Sequence, residues 1–354
     1  MGDSLPVVPR RVEDLTPSWF GAALGVAIAE VEVRTFGEGI GMLSVMVHAR
    51  IRPEHPGEGP ASVVVKLPPW RDRNQGMGTE FGYFLREAEV YRRFGSGLPA
   101  PVCHHVAVDH DARLAVLVLA DHTDARPADQ IVGADAADAE AIVDAMAAMH
   151  ARWWDHPALT EDVTPPVDHD VERRSARVFA DSFPAFATRY RHRVPDAAFA
   201  AAERYGPQLA ACYRTWAMAG PHTLSHNDLR LDNILLTDGS PPVVFVDWQR
   251  VIRHHGASDL AYFVAGSLTV ERRRATEDEL LVRYLEGLRS GGVVGYGLDR
   301  LRRDYRSAML RWLGVASTAA TLDLANERGE RLVDTMVERH FTAAADHDVA
   351  ALLA

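Results

Sequence analysis

The stretch "LSHNDLRLDNILL", residues 224–236, followed by "VVFVDWQR", residues 243–250, constrains this chain more than any other feature. His226, Asp228, Asp232 and Asn233 crowd together between apolar runs, and Asp247 closes a short apolar strand pattern. Charged groups held against apolar neighbours are costly unless they are paired or bind a metal. Asn233 and Asp247 offer an amide oxygen and a carboxylate, hard ligands suited to Mg²⁺, which completes its shell with water and phosphate oxygens. Asp228 stands beside them, placed to orient a hydroxyl or accept its proton. Phosphoryl transfer needs this set: one group aligns the nucleophile while cations neutralise charge on the phosphates.

A length of 354 residues suggests two lobes. In "LTPSWFGAALG" Thr16 caps a helix, Pro17 suits its first position, and Gly21 or Gly25 ends it. Strand patterns follow over 28–36, 43–51 and "SVVVKLP", the last ending near Lys66. In "EFGYFLREAEVYRRF", Phe81, Phe84, Leu85, Ala88, Tyr91 and Phe94 recur at helical spacing. Two more strands fit 102–108 and 114–120. Beyond "ADHTDARP" Ala-rich helical patterns take over, at 142–153, 171–191, 196–219 and from about 257 onward. The expected fold class is α+β. Residues 1–119 form a small lobe with an antiparallel sheet and one main helix, 120–127 a hinge, and 128–354 a larger, mostly helical lobe.

"HNDLRLDN" resembles the catalytic loop of aminoglycoside phosphotransferase-like kinases, including the ecdysteroid kinase-like and choline kinase-like branches, whose usual form is H-G-D-x-x-x-x-N. "VDWQ" resembles their metal-binding motif. The resemblance implies a protein-kinase-like two-lobed fold, with Asp228 as base or nucleophile-orienting group and Asn233 and Asp247 as magnesium ligands. Asn227 departs from the pattern, standing where Gly is commoner. A kinase also needs a lysine on its third strand to pair the phosphates, and a glutamate on the next helix to hold it. Lys66 meets the first need. Glu87, four residues before Tyr91, fits the family pattern for the second better than Glu89. "GEGIGMLS" resembles the family's phosphate-covering turn, with Gly39, Gly41 and Ser44 as donors, although such glycines equally serve a plain hairpin. Leu119 to Asp121 occupy the place where such kinases hydrogen-bond a purine edge through backbone atoms. Arg230 sits where protein kinases carry a lysine near the γ-phosphate; it can instead pair with Asp232. Asp259 in "GASDLAYF" matches the aspartate that anchors the catalytic loop.

The implied activity is Mg²⁺-dependent transfer of the γ-phosphate of ATP or GTP to a hydroxyl of a small molecule, an antibiotic such as an aminoglycoside or a metabolite. Resistance and metabolic roles are both compatible with it. The rival is a non-catalytic nucleotide-binding or interaction protein on the same scaffold, which usually loses the lysine, the base or a metal ligand; all are present. A protein kinase would want His-Arg-Asp, D-F-G and A-P-E, and none occurs. A formal charge of -11 argues against nucleic acid as partner. Two distant cysteines, no long apolar run and no signal-peptide pattern at the N-terminus lead to an expected cytoplasmic location and no membrane partner. His104–His105 and His254–His255 lack metal-site spacing and read as surface or loop histidines. "ERRS" and "ERRRA" read as solvated helix faces, and Trp153, Trp154, Trp216 and Trp312 as core.

Overall fold

The computed structural model describes residues 8–36, 44–69, 79, 81–160, 163–165, 169–319 and 327–353. The chain divides into two compact units, Met1–Ala125 with Val244–Arg250, and Arg126–Val243 with Val251–Ala354. Residues 244–250 thus belong with the first unit, although they follow more than a hundred residues of the second.

Helix α1, Pro17–Leu24, opens the first unit. The Thr16 side chain accepts from the Trp19 N–H, Pro17 supplies a pre-set φ, and Gly25 ends the helix at φ 72°, a left-handed conformation that glycine adopts without steric cost. Strands β1 (Ile28–Phe36), β2 (Val45–Pro53) and β3 (Ser62–Leu67) are followed by helix α2 (Tyr83–Phe94) and strands β4 (Cys103–Asp109) and β5 (Leu114–Ala120). The five strands form one antiparallel sheet in the order β1-β2-β3-β5-β4. Its central strands are apolar on both faces, as a sheet covered on both sides requires. Val63, Val65 and Leu67 of β3 join Val116 and Val118 of β5 in a core with Trp19 and Phe20 of α1. Alternation sends Val64 and Lys66 to the other face, where Phe84, Glu87, Ala88 and Tyr91 of α2 are buried.

The second unit begins with β6 (Arg126–Pro127) and the helices α3 (Ala136–Arg152), α4 (His169–Tyr190) and α5 (Asp196–Met218). A short antiparallel pair follows, β7 (Thr223–Ser225) with β10 (Ile252–His254), and β8 (Ile234–Leu236) lies beside β6. Strand β9 (Val243–Phe245) leads back into the first unit. Helices α6 (Gly256–Ser267), α7 (Val270–Ser290), α8 (Leu298–Ala319) and α9 (Glu327–Asp346) complete it. Every residue of α6 is buried, so this helix is a core element rather than an amphipathic surface one. The fold class is therefore the expected α+β, two-lobed and kinase-like, with a five-stranded antiparallel sheet in the small lobe. Among the described residues, no helix is long and apolar enough to cross a membrane.

Two surface assignments need correction. His254 and His255 are buried, not exposed. His254 stacks on Tyr213 with centroids 4.6 Å apart, and His255 stacks on Trp216 at 4.5 Å. Burial holds the His254 ring well below its usual pKa, so it packs as a neutral aromatic. In "ERRRA", Arg273 is buried and forms ion pairs with Glu277 and Asp346; charge pairing across helices, invisible to local pattern, compensates its burial. Trp153 and Trp312 are core residues, while Trp154 and Trp216 are half-buried.

Candidate active site

In the first unit three charged side chains converge. Lys66 Nζ lies 2.9 Å and 2.7 Å from the two oxygens of Glu87, and 2.6 Å from Asp247 Oδ1. Each partner arrives by a local rule. Lys66 projects from β3 between Met46 and Leu117 on the neighbouring strands. Glu87 occupies the buried stripe of α2, three residues after Phe84 and four before Tyr91. Glu89 lies off that stripe and pairs with Arg92 and Arg93. Asp247 has φ 67°, a left-handed conformation uncommon outside glycine, and its Oδ2 accepts from Gln249 Nε2 at 3.1 Å. The Trp248 N–H donates to Glu87 Oε1 at 3.1 Å, tying the segment to the helix.

Two carboxylates surround one ammonium. Burial pushes the Lys66 pKa down, but Asp247 and Glu87 outweigh it and leave the ammonium firmly protonated. The Glu87 pKa is raised as well: burial pushes it up, Lys66 opposes the rise, and Asp247 adds to it.

In the second unit the loop after β7 is held from three directions. Asp259, fully buried in the first turn of α6, accepts from Ser225 Oγ (2.9 Å) and from the N–H groups of His226 (2.7 Å) and Asn227 (2.8 Å). Its carboxylate also meets His150 Nε2 at 3.3 Å, and His150 Nδ1 lies 2.8 Å from Tyr284 Oη. A Cβ at Gly256 would fall inside contact distance of Tyr284 Oη and His150 Nδ1, so this close approach requires glycine. Gln130 Oε1 accepts from the Leu231 N–H at 2.7 Å. Asn233 Nδ2 donates to the Asp228 carbonyl at 2.8 Å, which assigns the amide and turns its oxygen to the role of acceptor or ligand. The Asp228 carboxylate accepts from Tyr262 Oη at 3.1 Å.

Asn227 has φ 66°. The glycine of the usual pattern takes this conformation without penalty, and Asn is among the few other residues that tolerate it. Asn227→Gly is therefore expected to keep the native thermal midpoint. Asn227→Val should cost about 1–2 kcal/mol, the penalty of a left-handed residue with a branched side chain; equal stability of the two variants by denaturant titration would contradict this account.

Asp259 also links stability to pH. Burial pushes its pKa up, but hydrogen bonding to His150 and the loop amides outweighs burial and holds it below 3.8. The folded state therefore binds the proton less readily than the unfolded chain, and the stabilisation is complete above the unfolded value and lost as pH falls through the folded one. Asp259→Asn should be less stable than the native chain at pH 7 by about 2–4 kcal/mol, with the gap closing on acidification below about pH 4. A pH-independent gap would remove Asp259 as its source.

The other residues singled out by sequence fall as follows. Ser44 precedes β2 and lines, with Lys66, Leu67, Phe84, Glu87, Ala115 and Leu117, a small cavity. Gly39 and Gly41 lie outside the described residues. Leu119 sits within β5, paired with Val64 and Cys103. Asp121, just beyond β5, accepts from His48 Nε2 and from the Thr123 N–H, both at 2.8 Å. Arg230 Nη1 lies 3.5 Å from Asp232 Oδ2, and Arg328 Nη2 lies 3.7 Å from Asp232 Oδ1. Sequence reasoning did not single out Gln130, Tyr262 or Tyr284, and it placed His150 only within the helical pattern at 142–153. Each stands far from the loop in sequence, within an ordinary helical or turn pattern that carries no signal.

A lysine–glutamate pair on a sheet and helix, an aspartate leaving a short strand, and a loop anchored by a buried aspartate define a class: kinase-like phosphotransferases acting on small molecules. The chain belongs to the ecdysteroid kinase-like family, whose model matches residues 38–291. It is thus an enzyme of the O-phosphotransferase kind. No curated protein sequence matches significantly. Among solved structures, it is similar to a provisionally assigned aminoglycoside phosphotransferase from Ralstonia eutropha, with 14% identity, coverage of 93% of this chain and 97% of the other, and a TM-score of 0.57. It is also similar to the Plasmodium vivax ethanolamine kinase (11%, 89% and 81%, 0.54). A third similar structure is the amicoumacin kinase hAmiN in complex with AMP-PNP, Ca²⁺ and Ami (13%, 95% and 94%, 0.52).

Proposed function

We propose that this protein transfers the γ-phosphate of ATP or GTP to an alcohol group of a small molecule, with Mg²⁺ as cofactor. The observation that carries the reading is Lys66 bound at once to Glu87 and Asp247. A buried lysine shared by two carboxylates, one of them on a left-handed backbone, is the charge pattern of a ligand site. Lys66, kept protonated and aimed by Glu87, grips the α- and β-phosphates. Asp247 and the Asn233 oxygen have the hard-donor chemistry that would hold Mg²⁺, which when bound neutralises charge on the phosphates.

Asp228 aligns the acceptor. The acceptor oxygen forms a bond to the γ-phosphorus as the bond from phosphorus to the β–γ bridging oxygen breaks, and the nucleoside diphosphate leaves. The hydroxyl proton passes to the Asp228 carboxylate. Arg230 has two competing roles, contact with the transferring phosphoryl group or retention by Asp232, and Ser44 contributes a donor at the phosphate side. The similar structures act, by name, on ethanolamine and amicoumacin; an amine-bearing alcohol such as ethanolamine is accordingly the first acceptor class to try. A cytoplasmic setting would supply the nucleotide. The decisive assay measures transfer of labelled γ-phosphate from Mg-ATP and Mg-GTP to a panel of hydroxylated compounds. Full activity in both Asp228→Asn and Asp247→Ala would overturn the assignment.

A further inference from the structure

The catalytic loop has a supported backbone. Asp259 holds the amides of His226 and Asn227, Gln130 holds that of Leu231, and Asn233 holds the carbonyl of Asp228. None of these contacts sets the side-chain torsions of Asp228. Among the described residues, Tyr262 reaches its carboxylate, with Oη donating to Oδ1 at 3.1 Å.

Tyr262 is built to hold that position. It lies one turn after Asp259 on the wholly buried α6, so the helix that anchors the loop backbone also carries the hydroxyl. Its ring stacks on Trp312 of α8, with centroids 3.8 Å apart and planes at 21°. His340 of α9 also stacks on it, at 5.3 Å and 7°. Burial and the neighbouring Arg339 lower the His340 pKa to about 3, so this ring is a neutral stacking partner. Two flanking rings leave the phenol little freedom, which makes the aim of its hydroxyl a property of the fold. Packing alone would accept Phe here; the hydroxyl is what distinguishes the residue.

We propose that Tyr262 is a positioning residue for phosphoryl transfer: it fixes Asp228 Oδ1 and so presents Oδ2 to the acceptor hydroxyl. This rests on Asp228 being the acceptor-aligning group. Holding a reacting group in its productive rotamer acts on turnover rather than on nucleotide affinity, because the nucleotide gains nothing from the orientation of Asp228.

The test compares the native protein with Tyr262→Phe, Asp228→Asn and the double variant. Two reactions are followed, hydrolysis of Mg-ATP to water and transfer to the acceptor panel. Rates are referred to the number of sites that bind AMP-PNP, so misfolded protein does not register. Tyr262→Phe should lower kcat roughly tenfold, the scale of a hydrogen bond to a charged group. AMP-PNP affinity and thermal midpoint should stay native. In the Asp228→Asn background the same change should lower the rate no further, since two residues acting as one unit are non-additive. Native kcat in Tyr262→Phe, or an equal loss in both backgrounds, overturns the proposal while leaving Asp228 in its role. Undiminished turnover in Asp228→Asn would remove the premise, and absence of turnover by the native protein on water and every acceptor would overturn both.

Discussion

Asp228→Asn should reduce phosphoryl transfer by a factor of about 10²–10⁴, the range that a positioned proton acceptor contributes, while nucleotide binding persists. The substitution keeps size and one acceptor oxygen, so Tyr262 and the loop amides retain their geometry. It removes the charge that draws the hydroxyl proton. Binding of AMP-PNP by calorimetry should match the native protein, and single-turnover transfer from labelled ATP should fall to near background. A variant that lost nucleotide affinity and turnover together would show that Asp228 works through the phosphates instead.

The second large effect concerns stability. Lys66→Met leaves Glu87, 3% exposed, and Asp247, 28% exposed, without the cation that lies between them. Stranding a buried charge typically costs about 3–5 kcal/mol, and the partial exposure of Asp247 places the expected loss near the lower end. Glu87 already has a raised pKa, because burial works against its charge; without Lys66 it should take up a proton at still higher pH. Lys66→Met should therefore be most destabilised at alkaline pH and recover as pH falls. Adding Glu87→Gln should restore much of the loss, because it removes the stranded charge. Denaturant midpoints across pH measure both effects. A destabilisation that is unchanged by Glu87→Gln would refute the charge account and leave lost packing as the cause.

Much of the small lobe was legible because its signals are local. The β1 pattern coincides with Ile28–Phe36, and β5 with Leu114–Ala120. The choice of Glu87 over Glu89 follows from helical phase, since Glu87 shares a face with Phe84 and Tyr91. The β2 pattern was displaced, running Val45–Pro53 instead of 43–51, because pairing of Ile28 with Pro53 carries the strand two residues beyond its apolar pattern. Asn227 was visible as a departure from a glycine pattern, and its φ of 66° gives the reason.

What the sequence determined by itself was the alternation and helical phase that place Lys66 and Glu87 on one side of the sheet, and the short spacing that puts Asp228 and Asn233 on one loop. Only the tertiary structure decided that Asp247 closes on Lys66 across 181 residues, that His150 supports Asp259 across 109, and that Tyr262 reaches Asp228 across 34. The reason is physical. Alternation and helical phase are imposed by backbone geometry within a few residues, whereas a buried tyrosine or histidine looks like any core residue until packing brings a polar partner to its heteroatom.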